Sequence, residues 1–427
     1  SDRRLRSVGR VFQNIKMKKS KTFCVAPWFQ IRNQNNMSKR VCCVIKKLPV
    51  DKDSKNLTAL EYLNSKDIVD LKKQLEEDKM PAACDACWQD EKNNIKSLRQ
   101  QLNGILTAGL PGQPNWLDSY FRNKQDYDSD MILMADVKMG NTCNHACVMC
   151  NPQDSSLIYS DWIKRKDSLF VKEYTEKDPN YFDTAKFNGY KNKKYREYIQ
   201  SVITDNKHLK YLKLLGGEPF LDGELITALE NLDPVIKKKL KLSLVTNGSV
   251  DIVSVLKRLG TFDHIQISVS VEGVGEVHEF ARAGSVWKVL EKNILNTVDK
   301  NLCDISIHHS FQTATVLGFT DLISWCKKHS IKLTCGVVND PGYLSIKSLP
   351  IILKNKMIKQ IIPNQAYFIN EDNVENHTLS YDNLLLKIKD TEYDPLLNKK
   401  FFEYIEWYQS NKNIPRLQSI FPELYNQ

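Results

Sequence analysis

What this sequence lacks narrows it first. No stretch approaches the eighteen or so consecutive apolar residues that a membrane-spanning helix needs. No hydrophobic core of a secretory signal is visible either. There is no internal repeat and no sustained heptad, which sets aside solenoids and coiled coils. Acidic residues are nearly missing from the first fifty positions, where Asp2 alone faces 13 Lys and Arg, a local charge of +12. The whole chain carries +10, so the remaining 377 residues sum to about −2. A basic bias confined to one end argues against a nucleic-acid groove across the main body. The aromatics that would have to interleave with it are sparse: Phe12, Phe23, Trp28 and Phe29.

What remains is a chain of 427 residues, long enough for two or three domains and a sizeable core. At 41% hydrophobic and 26% charged it has the composition of a soluble globular protein. Residues 1–22 read as a basic solvated arm, with a targeting peptide as the alternative. The eleven cysteines are clustered: Cys24 with Cys42 and Cys43, Cys84 with Cys87, and Cys143 with Cys147 and Cys150. Cys303, Cys326 and Cys335 stand alone. Clustering without a secretory signal reads as metal or iron–sulfur ligation in a reducing compartment, so a cytoplasmic location is expected.

From residue 131 onward, short β-rich runs alternate with helical patterns. Strands are expected over Met131–Lys138, Lys210–Leu215, Lys241–Thr246, His264–Val271, Asp304–Gln312 and Lys332–Val338. Helical patterns between them include Gly223–Leu232, Ile252–Leu259, Trp287–Val298 and Asp321–His329. Six such units predict a parallel sheet in an α/β fold, a partial (β/α)6 TIM-like barrel. The expected division is a Cys-rich domain over 23–110, a Gly/Pro-rich linker over 111–130, the barrel over 131–345 with an insertion at about 151–206, and a helical extension over 346–427. Binding residues belong on loops after the strand ends. The motifs fall there: the cysteine triplet, Gly216-Gly-Glu-Pro219, Thr246-Asn-Gly-Ser249 and Ser270-Val-Glu-Gly273.

The triplet in Asn141-Thr-Cys-Asn-His-Ala-Cys-Val-Met-Cys150 has the spacing C-x3-C-x2-C. Three thiolates so placed can hold three irons of a 4Fe-4S cluster and leave the fourth open. The plainer alternative is a zinc knuckle completed by His145 or a distant cysteine. Taken with the loops, the triplet resembles the radical S-adenosylmethionine (SAM) superfamily. That resemblance implies that Cys143, Cys147 and Cys150 hold the cluster that cleaves SAM. It also implies that Gly216, Gly217 and Glu218 hold the ligand's amino group, with Asn247 beside them, and that Ser270 contacts the ribose. Arg282 would pair with the carboxylate, a task its planar fork suits. Two positions depart from the family: Glu272 stands where Asp is common, and Met149 where an aromatic is common, although Met149 can still pack on adenine.

Phe23-Cys-Val-Ala-Pro-Trp28, Val41-Cys-Cys-Val44 and Cys84-Asp-Ala-Cys-Trp-Gln-Asp-Glu91, with Ser97 and Arg99, resemble the twitch domain, a shortened SPASM domain, here preceding the barrel. The resemblance implies a second, auxiliary 4Fe-4S cluster on Cys24, Cys42, Cys84 and Cys87, with Cys43 as the alternative to Cys42. A four-cysteine zinc ribbon is the competing reading. The implied activity is an oxidoreductase reaction: reductive cleavage of SAM to a 5′-deoxyadenosyl radical that abstracts hydrogen from a substrate. Oxidation or cross-linking of a ribosomal peptide is expected. A small polar metabolite, or a nucleic acid reached through the basic N-terminal region, are the alternatives. An electron donor such as flavodoxin or ferredoxin is the expected partner, and no membrane is. Cys335 is a candidate hydrogen donor if its face of the last strand looks inward, with ordinary packing as the alternative.

Overall fold

The computed structural model describes residues 20–107, 131–138, 140–184, 187, 193–204, 206, 208–367 and 381–426. The expected arm over its first nineteen residues, the linker over 111–130 and parts of the insertion lie outside the described residues. Ten strands are labelled in chain order: β1 (Gln30–Asn33), β2 (Lys39–Arg40), β3 (Met134–Lys138), β4 (Ala146–Cys147), β5 (Tyr211–Leu215), β6 (Lys241–Thr246), β7 (His264–Ser270), β8 (Arg282–Ala283), β9 (Asp304–Phe311) and β10 (Lys332–Val337).

One eight-stranded sheet organises the molecule, in the order β10-β9-β7-β6-β5-β3-β1-β2. Every pair from β10 to β1 is parallel, and only β2 runs antiparallel at the edge. From β3 to β10 the chain adds each main strand on the same side of the last. With right-handed crossovers, that order places all connecting helices on one face of the sheet. The helices Gly223–Glu230, Ile252–Leu259 and Trp287–Lys300 pack side by side there.

The strand sequences explain the asymmetry. A parallel strand covered by helices on both faces reads as an unbroken apolar run. These strands alternate instead, as in His-Ile-Gln-Ile-Ser-Val-Ser of β7. Leu212, Leu214, Leu242, Leu244, Ile267 and Val269 are fully buried on the helix side, and Lys213, Ser243, Gln266 and Ser268 between them turn to the other face. Helix starts are fixed by side-chain caps, such as Asp222 accepting from the Leu225 amide at 3.0 Å.

Two features go beyond the sequence expectation. The N-terminal region is joined to the sheet, because β1 pairs with β3 through Arg32 opposite Asp136. The four-residue run Gln-Ile-Arg-Asn carries too little pattern to announce a strand. The C-terminal helix Pro395–Gln409 packs against the insertion helices Ser156–Lys164 and Leu169–Lys177 through an aromatic cluster. Trp162 meets Trp407 at 5.7 Å between centroids, Phe170 meets Tyr404 at 5.5 Å, and the Arg165 guanidinium lies 3.6 Å from the Trp407 ring centre. Edge-to-face aromatic and cation–π contacts of this kind add roughly 0.5–1.5 kcal/mol each beyond area burial.

Candidate active site

The loop after β3 carries Cys143, Cys147 and Cys150, and five separate segments brace it. Glycine makes the first contact. Gly217 has φ +52°, and a Cβ there would lie 2.3 Å from the Thr142 carbonyl oxygen. The Glu218 amide donates to that same carbonyl at 2.7 Å. Only glycine lets the two loops approach so closely. Asn247, after β6, donates from Nδ2 to Asn144 Oδ1 at 2.8 Å and lies 3.9 Å from Cys143 Sγ. Ser155 and Ser156 supply a third brace, with Ser155 Oγ donating to the His145 carbonyl at 2.7 Å.

The fourth brace is β8. Ala146 and Cys147 pair antiparallel with Ala283 and Arg282, which sets Arg282 directly opposite Cys147. Its Nη1 donates to Cys147 Sγ at 3.5 Å, and its Nη2 to Glu272 Oε1 at 2.7 Å. Arg282 Nε is buried with no protein partner. Burial pushes the Cys147 thiol up to about 11, and the nearby Arg282 charge pulls against that rise. Burial pushes His145 down to about 4, with Arg282 adding to the effect, so this imidazole is neutral near pH 7.

The fifth brace comes from the C-terminal helix. Tyr404 Oη donates to the Val148 carbonyl at 2.6 Å, and Tyr408 Oη to the Ala146 carbonyl at 2.7 Å. Tyr408→Phe removes the donor from a buried carbonyl, and is expected to cost about 1–3 kcal/mol in urea unfolding at unchanged slope. A loss below about 0.5 kcal/mol would mean that the helix is not what fixes this loop.

Other expected site residues are tied into the loops around the cysteines. Glu218 is 2% exposed, and its carboxylate accepts from Thr246 Oγ1 at 2.7 Å, the Asn247 amide at 2.6 Å and the Phe220 amide at 3.1 Å. It ties the Gly216 loop to the loop after β6. Burial raises its pKa, and the Asn247 amide is the foremost opposing contact. Arg282 spends one end of its fork on Glu272, leaving Nε as its unpartnered donor. Glu272, which departs from the family's common Asp, is fully buried and also accepts from the Ser310 amide at 3.0 Å. Ser270 ends β7 nearly buried, and Met149 is half-buried beside the core.

Cys335 stands on the packed face of β10. Thr334 Oγ1 lies 3.1 Å from His308 Nδ1, and a Cβ on Gly336 would approach His308 Nε2, so both neighbours share the polar face. Alternation turns Cys335 to the opposite face, toward Cys326 in the helix Phe319–Lys328, and it is 1% exposed.

In the N-terminal region, Cys24, Cys42, Cys84 and Cys87 line one small cavity with apolar walls and Arg99 at its edge. Arg99 is fixed by Glu91, with Nη2 to Oε2 at 2.6 Å and Nε to Oε1 at 2.9 Å, and donates from Nη1 to the Phe23 carbonyl at 2.7 Å. Cys43 does not line that cavity. Its thiol, pushed up to about 11 by burial, lies in the field of Arg32, Asp136 and Lys213. Among the described residues no disulfide forms, and no three His, Cys, Asp or Glu side chains close tightly enough to hold a single metal ion. A four-iron cluster makes a different demand, since each thiolate takes its own iron.

Residues 137–313 match the model of the radical SAM superfamily. That stretch is similar to a radical SAM domain. That domain implies a 4Fe-4S cluster and SAM, and the Cys143 loop fits both: three soft donors, a cation beside one sulfur, and a glycine approach that any side chain would block. Over 131 residues, 29% of this chain and 43% of the relative, the sequence is 27% identical to a probable GTP 3′,8-cyclase of Methanococcus aeolicus. Among solved structures, SuiB of Streptococcus suis bound to S-adenosylmethionine is similar over 59% of this chain and 49% of its own, at 14% identity and TM-score 0.36. Native anSMEcpe with bound AdoMet and Cp18Cys peptide is similar over 40% of this chain and 49% of its own, at 19% identity and TM-score 0.30. The chain therefore spans about half or less of each of these relatives. Among the described residues no helix is long and apolar enough to cross a membrane.

Proposed function

We propose that this protein is a radical SAM enzyme whose sheet forms a partial barrel wall, with an auxiliary 4Fe-4S cluster at Cys24, Cys42, Cys84 and Cys87 and a peptide as substrate. The observation that carries the reading is the closure of the Cys143–Cys150 loop on Gly217, with Arg282 opposite Cys147. When bound, the cluster and SAM supply reductive cleavage of the sulfonium and a 5′-deoxyadenosyl radical for hydrogen abstraction.

The chain's own residues orient and enclose. Backbone at Gly216 and Gly217, free of Cβ, offers polar groups at close approach. Arg282 Nε is a buried donor suited to a carboxylate. Its charge and the Asn247 amide favour thiolate over thiol at Cys147 and Cys143, as ligation requires. Tyr404 and Tyr408 hold the loop backbone in place from the C-terminal helix. The gathering of Cys24, Cys42, Cys84 and Cys87 around one cavity supports the second cluster, and the position of Cys43 supports Cys42 as the ligand.

Anaerobically reconstituted protein is expected to hold about eight iron and eight sulfide per chain and, with dithionite, to convert SAM to 5′-deoxyadenosine. Protein that takes up about eight iron yet leaves SAM intact would overturn the enzymatic reading. Uptake of zinc at the N-terminal site would overturn the auxiliary cluster alone.

A further inference from the structure

A side chain of the N-terminal region also reaches the cysteine loop, at both of its ends. Asn35 lies in the turn between β1 and β2 and is 4% exposed. The turn is closed by its own hydrogen bonds. The Gln34 amide donates to the Ser38 carbonyl at 2.9 Å, and Asn36 Oδ1 accepts from the Ser38 amide and hydroxyl at 3.0 and 2.6 Å. Tyr195, on the insertion helix Lys193–Thr204, holds the turn to the end of β3. Its Oη lies 3.2 Å from the Gln34 carbonyl oxygen and 3.2 Å from that of Lys138.

Both polar atoms of the Asn35 side chain are engaged. Oδ1 accepts from the Gly140 amide at 3.0 Å, just before the cysteines. Nδ2 donates to the Gln153 carbonyl at 2.7 Å and to Asp154 Oδ1 at 3.1 Å, just after them. Asp154 in turn accepts from Lys138 Nζ at 2.7 Å and from Asn151 Nδ2 at 3.2 Å. One side chain thus joins the two ends of the segment that carries Cys143, Cys147 and Cys150. The same oxygen bounds the neighbouring turn, because a Cβ on Gly216 would lie 3.2 Å from Asn35 Oδ1 and 3.1 Å from the Gly140 carbonyl oxygen. A carboxamide suits this place, since it offers an acceptor and two donors together. A carboxylate would face Asp154 with no donor, and an aliphatic side chain would strand the buried Gly140 amide.

We propose that Asn35 is a positioning residue for SAM: it fixes the Gly216–Gly217 turn against the cysteine loop, so that the N-terminal region completes the site for the ligand's amino group. The inference rests on the radical SAM reading above and adds a residue to it. Backbone meets the ligand, and Asn35 acts through Gly140 and Gly216. Two successive glycines with φ of +91° and +52° have wide backbone freedom and do not hold one shape unaided. Without the Asn35 contact the turn gains conformers, and SAM has to order it on binding. The ribose end of SAM is expected at Ser270 on β7, a segment that Asn35 does not touch. Loss of Asn35 therefore falls on the amino-acid end of the ligand alone.

The test uses anaerobically reconstituted protein without reductant, and equilibrium dialysis against SAM and against 5′-methylthioadenosine. The second probe keeps the nucleoside and sulfur of SAM but lacks its amino and carboxylate groups. Asn35→Ala is expected to weaken SAM about tenfold, the scale of one lost hydrogen bond. Affinity for 5′-methylthioadenosine is expected to be unchanged, with iron still at about eight per chain. Asn35→Asp is expected to weaken SAM as well. Adding Asp154→Asn to it restores the hydrogen bond between the two positions with its donor reversed, and should recover most of the affinity. Equal weakening of both probes, loss of the Cys143 cluster, or undiminished SAM affinity in Asn35→Ala would each overturn the proposal. So would a double variant that binds SAM no better than Asn35→Asp alone. Failure of the unaltered protein to bind SAM would instead overturn the radical SAM reading itself.

Discussion

Replacing Cys143, Cys147 and Cys150 together by Ala is expected to reduce 5′-deoxyadenosine formation to background. Iron is expected to fall from about eight to about four per chain. The protein is expected to remain folded, because the thiols themselves make few of the contacts that hold the loop. Its backbone is retained by the β4–β8 ladder, by the Ser155 hydroxyl and by the two tyrosines of the C-terminal helix. The residual iron should be lost when Cys84 and Cys87 are replaced instead, with the first cluster kept. Those two thiols lie in the other cavity, beside Cys24 and Cys42. Iron that stays at about eight in the triple variant would place the clusters elsewhere. A residual site that binds zinc would leave the Cys143 loop as the protein's lone iron–sulfur centre.

Much of this arrangement was legible because it depends on local pattern. Alternation fixed β6 to the residue, and β7, β9 and β10 to within one residue at their C-terminal ends. The motif loops stood at those ends because a parallel strand delivers its following loop to one edge of the sheet. The choice between Cys42 and Cys43 stayed open in sequence, since adjacent residues point opposite ways and nothing local says which way faces the other cysteines. The structure turns Cys42 toward Cys24, Cys84 and Cys87, and sets Cys43 near Arg32 and Asp136. Hidden altogether were Tyr404 and Tyr408, whose partners lie 256 and 262 positions earlier in the chain. A tyrosine on the buried side of an amphipathic helix looks like any core aromatic, and a hydroxyl–carbonyl bond over that separation leaves no periodicity behind. The face of Cys335 was hidden for the same reason as that of Cys43.

Glu272→Ala is expected to destabilise the protein by about 3–5 kcal/mol, the cost of stranding one member of a buried ion pair. Glu272 and the Arg282 side chain are 0% and 11% exposed, so water cannot replace the lost carboxylate cheaply. The same carboxylate also accepts from the Ser310 amide at 3.0 Å and sits 3.5 Å from His309 Nδ1, which couples the ends of β7 and β9. Glu272→Gln keeps the acceptor but not the charge, and its loss should be smaller. If the ion pair is the cause, Arg282→Ala in the Glu272→Ala background should cost less than Arg282→Ala alone, and a double-mutant cycle measures the difference. Chemical denaturation of the four proteins supplies the numbers. A loss under about 1 kcal/mol for Glu272→Ala would show that Arg282 finds another partner when Glu272 is gone. Iron binding carries the functional consequence. Arg282 stands opposite Cys147 because of the ladder, but its Nη1 reaches the sulfur because Glu272 holds the other end of the fork. Freed from Glu272, the guanidinium can turn away from Cys147, so the variant should also bind its first cluster more weakly than the unaltered protein.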